Sequence, residues 1–473
     1  MKRILLFTVF MAAFIFCAAP LAAQDLPRLK VSPDGHHLQT ADGKPFFYLA
    51  DTAWELIHRL DREEADTYLK LRQAQGFNVI QTVVLSEFDG LNTPNAYGDR
   101  PFKENNPTLL ATEEGENNDY WDHVEYIISQ ANRMGLYVAL LPTWGHYWND
   151  ENSFFDKQSA AAYGSYVAKR YGKYNIIWIL GGDRNPKDYS KQAIIRSMAE
   201  AIRKTDNRNL ITYHPAGWQS SATWFHKDNW LDFNSRQSGH QKEYNSHIKT
   251  YENYLLSPAK PVADIEPLYE VTLKEYDAEA GGYSTADNAR RSIYWAAFYG
   301  ACGVAYGHNH IWQMYDPKNG FAPKYSPTAT WRQTVEAGAG TDIPLLKNLL
   351  YSRPFFSRRP APELLVEEDT LVPGKGIRHI AALMDDEGSY AMVYNPGGRS
   401  FSIKGSLLKA QKLKAWWLDP KTGKVQKIGK INNNKKSIRF TPPTPDIVKD
   451  WVLIVDDATK KYPAPNKKTR NLK

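Results

Sequence analysis

The sequence predicts a (β/α)8 barrel followed by a small antiparallel β-sandwich, and three observations carry that prediction. Between Leu29 and about Arg359, short β-branched or aromatic runs alternate with longer stretches of helical period. Eight such short runs can be counted. Beyond Arg359 the helical stretches cease and closely spaced strand-like runs take over.

The eight barrel strands are expected at residues 46–49, 79–85, 136–141, 176–180, 210–213, 231–234, 262–265 and 303–306. One intervening helix opens at Asp61 with Glu64 three residues on, a capping box, buries Ala65, Tyr68 and Leu69, and stops at Gly76. A second starts near Asp119, carries Trp121, Val124, Ile128 and Ala131 on one face, and stops at Gly135. A third presents Ile194, Ile195, Met198 and Ile202. No G-x-G-x-x-G follows the first strand and no G-x-x-x-x-G-K-[ST] occurs, so dinucleotide and NTP chemistry lose their main support. The later strands are expected at 377–383, 390–394, 413–418, 437–441 and 451–455, separated by turn clusters such as Asp385-Asp386-Glu387-Gly388. The resulting division is a signal peptide at 1–23, the barrel at 24–359, the sandwich at 360–457 and a basic, disordered tail at 458–473.

Lys2 and Arg3, an uncharged run of thirteen residues and the small residues up to Ala23 have the layout of a cleaved secretory signal. The run is too short to span a bilayer, so no membrane span is expected after cleavage. Cys17 permits a lipoprotein, but Phe16 is a poor neighbour for lipidation, and a periplasmic or secreted protein is favoured. Cleavage would leave 57 basic against 52 acidic residues and one cysteine, Cys302. An internal disulfide is then impossible, so the exported chain must rely on a large core. No basic stripe with a nucleic-acid motif occurs, and nucleic acid is not an expected partner. Fourteen tryptophans and 28 tyrosines suit sugar faces as well as cores.

In a (β/α)8 barrel, chemistry sits where the strands end. Strand one ends in Asp51-Thr52-Ala53-Trp54, strand two contains Gln81 and runs on to Glu87, and strand three ends in Thr143-Trp144-Gly145-His146. The fourth ends in Gly181-Gly182-Asp183-Arg184-Asn185, the fifth in His214, the sixth leads to Gln237, the seventh ends in Glu266, and the eighth runs into His308, His310 and Trp312. Strands four and seven face each other across the mouth, which lets a sugar ring sit between Asp183 and Glu266. Glycoside hydrolysis needs one carboxyl group to protonate the leaving oxygen and another to meet the oxocarbenium-like centre. Asp51, Gln81, Gln237, His146, His214 and His310 are candidate hydrogen-bonding partners of the sugar, and Trp54, Trp144 and Trp312 candidate stacking faces. His308-Asn309-His310 lacks further ligands at metal spacing, so neither a metal nor another cofactor is expected. Cys302 has no activating partner and reads as a buried small residue.

Several stretches resemble a known family. Asp42-Gly43-Lys44-Pro45-Phe46-Phe47-Tyr48-Leu49 leading into Asp51-Thr52-Ala53-Trp54, Gln75-Gly76-Phe77-Asn78-Val79-Ile80-Gln81, and Gly181-Gly182-Asp183-Arg184-Asn185 are similar to the apiosidase-like barrel of glycoside hydrolase family 140. Trp417-Leu418-Asp419-Pro420-Lys421-Thr422-Gly423 resembles the small domain often joined to it, which carries a collagen-binding label, although nothing in 360–457 shows the surface such binding needs. The resemblance implies release of apiose from side chains of the plant pectin rhamnogalacturonan II, with Asp183 as acid/base and Glu266 as nucleophile. Related barrels usually carry Asn-Glu at the end of strand four; Gly182-Asp183 here implies a closer substrate approach and another residue for the 2-hydroxyl contact. An arabinofuranosidase or endo-glycanase on the same barrel, and a non-catalytic carbohydrate- or matrix-binding protein, are the alternatives. Plant cell-wall oligosaccharide or polysaccharide is thus the expected partner, and a monomer the expected state.

Overall fold

The computed structural model describes residues 26–240, 246–273, 282–366, 379–433, 436–445, 447 and 449–465. The expected signal peptide, Cys17 and the last eight residues lie outside the described residues. Eight parallel strands form the barrel: β1 (Tyr48–Thr52), β2 (Val79–Val83), β3 (Tyr137–Leu141), β4 (Ile176–Leu180), β5 (Leu210–Tyr213), β6 (Asn234–Arg236), β7 (Val262–Asp264) and β8 (Ala301–Tyr306). Ladder bonds run in the order β5-β4-β3-β2-β1-β8-β7-β6. The remaining seam, between β5 and β6, is closed just before β6 by other means. Asp232 N–H donates to Ile211 O at 2.9 Å, its carboxylate accepts from Ile211 N–H at 2.7 Å, and Thr212 Oγ1 donates to Phe233 O at 2.7 Å.

That seam explains why β6 is displaced from the run that the sequence predicts. The run 231–234 is apolar enough to predict a strand, and Leu231 and Phe233 are indeed buried. The ladder instead begins at Asn234 and continues through Ser235 and Arg236, all fully buried. Hydrophobic pattern cannot flag a polar strand whose groups are satisfied by seam and floor. The first strand also shifts. Pro45–Phe46 belongs to an antiparallel sheet with Leu29–Val31 and Leu38–Thr40 that precedes the barrel.

The main helices are α1 (Arg62–Gln75), α2 (Tyr120–Arg133), α3 (Lys157–Tyr171), α4 (Tyr189–Thr205), α5 (Ser246–Tyr254), α6 (Ala286–Phe298) and α7 (Pro344–Leu350). The capping box at α1 forms as expected, Asp61 accepting from Glu64 N–H at 2.8 Å, and Gly76 ends the helix at φ +106°. Asp119 caps α2, and α4 buries Ile194, Ile195, Met198 and Ile202. Among the described residues no helix is long and apolar enough to cross a membrane.

The C-terminal unit is a sandwich. Its large sheet comprises β9 (Arg358–Pro360), β10 (Ala381–Asp385), β11 (Tyr390–Asn395), β13 (Lys412–Leu418), β14 (Val425–Asn432) and β16 (Trp451–Asp457), and the small one pairs β12 (Phe401–Lys404) with β15 (Ser437–Phe440). Alternate residues Leu413, Ala415, Trp417, Leu453 and Val455 face Phe401, Ile403, Ile438 and Phe440. The opposite face of the large sheet, with Leu383, Met392, Tyr394, Val452 and Ile454, shares a second core with Ile293, Tyr294 and Trp295 of α6.

Only a few contacts between the two units are expected from the sequence, and the structure corrects this. Besides the shared core, Arg353 makes a two-pronged ion pair with Asp456 at 2.7 and 2.8 Å, and Arg290 joins Asp450 at 2.8 Å and Asp342 at 2.9 Å. The disordered-tail expectation fails for 458–465. Tyr462 docks on the sheet beneath the Arg353 guanidinium, 5.0 Å from its ring centre, and its carbonyl accepts from Lys414 at 3.0 Å.

Candidate active site

The C-terminal strand ends converge on one cleft of about 70 Å³, lined by Trp54, Glu87, Trp144, Asp183, Gln237, His240, Glu266, Tyr269, Thr272, Trp312 and Tyr325. Every barrel strand except β5 sends a residue into this lining. Wider grooves of about 610 and 620 Å³ lie on the outer wall, where some of the charged groups pair with each other, Arg170 with Glu125 at 3.1 Å and Arg196 with Asp228 at 2.7 Å. A site needs convergent polar groups left for a ligand, and the cleft has them.

Asp183 is delivered by an unusual turn. Gly181, Gly182 and Asp183 have φ of +100°, +85° and +54°. A Cβ on Gly181 would stand 2.4 Å from His214 O, and one on Gly182 would stand 2.8 Å from Gly145 N, so two consecutive glycines are required. Asp183 then tolerates the left-handed region better than most side chains would, at a cost of about 1–3 kcal/mol. Its backbone N–H donates to His214 Nδ1 at 2.9 Å. Arg184 Nη1 lies 3.3 Å from its carboxylate, and Gln237 lies close enough to that carboxylate to lower its pKa.

Glu266 sits between two histidines. Its Oε2 is 2.8 Å from His214 Nε2, with the ring N–H off the ideal line, and its Oε1 is 3.1 Å from His240 Nε2. His240 Nδ1 accepts the Tyr269 backbone N–H at 3.3 Å, as His214 Nδ1 accepts that of Asp183. A nitrogen that accepts cannot carry the proton, so the bonding assigns both ring protons to Nε2, facing Glu266.

This arrangement splits the two carboxyl groups. Burial raises Asp183, the negative charge of Glu266 raises it further, and it reaches about 6 despite His214 and Arg184. Burial would raise Glu266 too, but the interactions with His214 and His240, their hydrogen bonds first, outweigh it and hold the group near 2. Two carboxyls in one cleft whose pKa values are pushed apart are what acid/base work at a single bond requires.

The expected contacts divide. Trp54, Trp144, Gln237 and Trp312 line the cleft, with Trp54 edge-on to both Trp144 and His214. His214 lies behind the lining and bridges the Asp183 backbone N–H and the Glu266 carboxylate. Half-buried His146 rests against Tyr147 outside the lining. Three residues are committed to the fold instead. Asp51 is buried with Arg72 at 2.6 Å and accepts from Tyr68; Gln81 bonds Tyr48, Thr52 and Ile265 inside the barrel; and His310 bonds Thr334 and the Thr328 N–H through its two nitrogens. Each faces inward or sideways where strand-end position alone suggested outward. Cys302 is fully buried and its thiol is pushed up by burial, as a packing residue would be.

Sequence reasoning missed His240, Tyr269, Thr272 and Tyr325 and did not assign Glu87 a role. His240 follows β6 by four residues, so the misplaced strand hid it; Glu87 stood in plain view at the end of β2.

Residues 32–357 match the family model described as the apiosidase-like catalytic domain, and residues 360–456 match one whose description names a collagen-binding domain of a collagenase. Among solved structures, one described as a glycoside hydrolase is 32% identical, covers 92% of this chain and 98% of its own, and superposes with a TM-score of 0.85. Another, described as a family 5 glycoside hydrolase from Bacteroides vulgatus, is 31% identical over 94% of this chain and 96% of its own, with a TM-score of 0.86. No curated protein matches the chain.

Proposed function

Because the chain belongs to the apiosidase-like family of glycoside hydrolases, we propose that Asp183 and Glu266 are its catalytic pair and that it releases a terminal sugar with retention of configuration. The chain is a glycosidase. The observation that carries the finer reading is the split of the two carboxyls across one cleft, Glu266 near 2 and Asp183 near 6.

Glu266, ionised and steadied by His214 and His240, attacks the anomeric carbon, while Asp183 gives its proton to the leaving oxygen. Esterification of Glu266 deletes the charge that raises Asp183, whose pKa then falls. It next accepts a proton from the water that hydrolyses the glycosyl-enzyme. Retention requires the two carboxyls to stand about 5–5.5 Å apart.

Apiose from rhamnogalacturonan II, and membership of family 140, are the substrate reading we favour. The apiosidase-like model over 32–357 supports it, and so does a small cleft that suits a terminal sugar better than a polymer chain. The protein is proposed to act outside the cytoplasm, after signal cleavage near Ala23, as a monomer. Incubation with a panel of pectic oligosaccharides, followed by analysis of the released sugars, tests the substrate. Free apiose is the expected product; release of arabinose or of oligosaccharides only would replace it with one of the other glycosidase readings.

A further inference from the structure

Glu87 is the third carboxyl lining the cleft, and the protein spends several interactions on placing it. Its neighbour Ser86 is pinned through its hydroxyl and its carbonyl. The Ser86 hydroxyl donates to the Glu55 carboxylate at 2.7 and 2.8 Å and accepts the Phe88 N–H at 3.0 Å. The Ser86 carbonyl accepts from the Tyr147 hydroxyl at 2.9 Å and from the Gly90 N–H at 3.3 Å. The turn is so tight that a Cβ on Gly90 would stand 2.5 Å from Ser86 N. Glu55 is itself fully buried and held by His58 at 3.0 Å. The backbone of Glu87 is therefore fixed, yet no hydrogen bond or ion pair joins its carboxyl to another described residue. A rigidly placed polar group that faces a cleft without a protein partner is left available to a ligand bound there.

On the reading of the cleft as the glycosidase site given above, we infer that Glu87 binds substrate by hydrogen-bonding a pair of hydroxyl groups on the sugar held between Asp183 and Glu266. Its surroundings set the form in which it does so. Burial, and then the negative charges of Glu55, Asp183 and Glu266, push it well above the usual carboxylate range, against the pull of Arg184. The protonated form, which these surroundings favour, offers one donor and one acceptor in a short fork, which matches two neighbouring hydroxyls. It also adds no further negative charge near Glu266, whose attack on the anomeric carbon a third ionised carboxylate would complicate. Gln is the isosteric mimic of this neutral form, and Met fills the same volume with no hydrogen bond.

The test compares Glu87→Gln, Glu87→Met and Glu266→Gln on the pectic oligosaccharide that the wild-type enzyme cleaves, with inhibition by the released monosaccharide as the binding readout. Glu87→Met is expected to lose roughly 10- to 100-fold in kcat/KM, the cost of leaving sugar hydroxyls unpaired in a closed site, with a parallel weakening of monosaccharide inhibition. Glu87→Gln is expected to lose only about three- to fivefold. Wild-type kcat/KM in Glu87→Met would overturn the contact, and a Gln variant as damaged as the Met variant would overturn its neutral, hydroxyl-reading role. If Glu87→Met does not fold, the Gln variant decides alone, since a loss above about 30-fold contradicts the proposal. A fully active Glu266→Gln would sink the two-carboxylate mechanism instead, whatever Glu87 does.

Discussion

Replacing Glu266 by Gln should lower the pKa of Asp183 towards its ordinary range. Asp183 stands at about 6, a little over two units above its ordinary 3.8, with burial the largest cause and the Glu266 charge the second. The substitution removes the charge and leaves the burial, so Asp183 should settle between 4 and 5, by an estimate of about one to two units for one adjacent charge. In the wild-type enzyme half of Asp183 is protonated at pH 6 and about a tenth at pH 7, so kcat/KM should fall towards tenfold per pH unit on the alkaline side. The acid side should hold until Glu266 protonates, near 2, unless unfolding intervenes first. Carbon-13 NMR of labelled aspartate carboxyls follows Asp183 directly, with Asp183→Asn identifying its signal. An Asp183 that titrates near 3.8 in the wild type, or that stays at 6 in Glu266→Gln, refutes the coupling on which the acid/base assignment rests.

The other predictions test the chemistry and the scaffold separately. Glu266→Gln should abolish turnover on every substrate, whereas Asp183→Asn should hurt least where the leaving group needs no proton and should be partly rescued by azide; NMR of the first-formed sugar should show retained configuration. Arg353→Met strands the fully buried Asp456 carboxylate, so it should cost about 3–5 kcal/mol in thermal or denaturant unfolding while the folded fraction keeps its kcat/KM; a loss under 1 kcal/mol would contradict the interface reading. Gly182→Ala puts a Cβ 2.8 Å from Gly145 N at a φ of +85°, and the resulting displacement of Asp183 should cut kcat/KM about 100-fold. Unchanged kinetics in that variant would show that the turn does not position the acid.

The barrel was legible because its strands differ in kind from its helices. Residues 176–180 and 210–213 form β4 and β5 as the apolar runs predict, and the Asp61 box starts α1 where its spacing says. What could not be read is which way a polar strand-end residue points. Asp51 and Glu266 look alike in the sequence, yet Asp51 pairs with Arg72 and Tyr68 across from a helix, while Glu266 turns to the cleft. The partner twenty residues away decides, and no local pattern records it. The β6 shift has the same root, since its ladder is chosen by Asp232 and Thr212 side chains at the seam rather than by hydrophobic period.

The departure from Asn-Glu at strand four now has a structural sense. Asp is shorter than Glu by one methylene, and the left-handed turn over Gly181, Gly182 and Asp183 carries the backbone itself towards the cleft. Gly145 makes room from the neighbouring strand end: a Cβ there would stand 2.4 Å from Gly182 O and 2.3 Å from Arg184 Cγ. The same turn aims the Asp183 N–H at His214 Nδ1, which fixes that ring's proton on the side of Glu266. One backbone feature thereby sets the reach of the proposed acid and the donor that faces the opposing carboxylate. The strain of a non-glycine residue at φ +54° is then coupled to both halves of the site. Gln237, which lies beside Asp183 and whose Oε1 is buried with no partner among the described residues, is the residue we propose for the contact that Asn would supply.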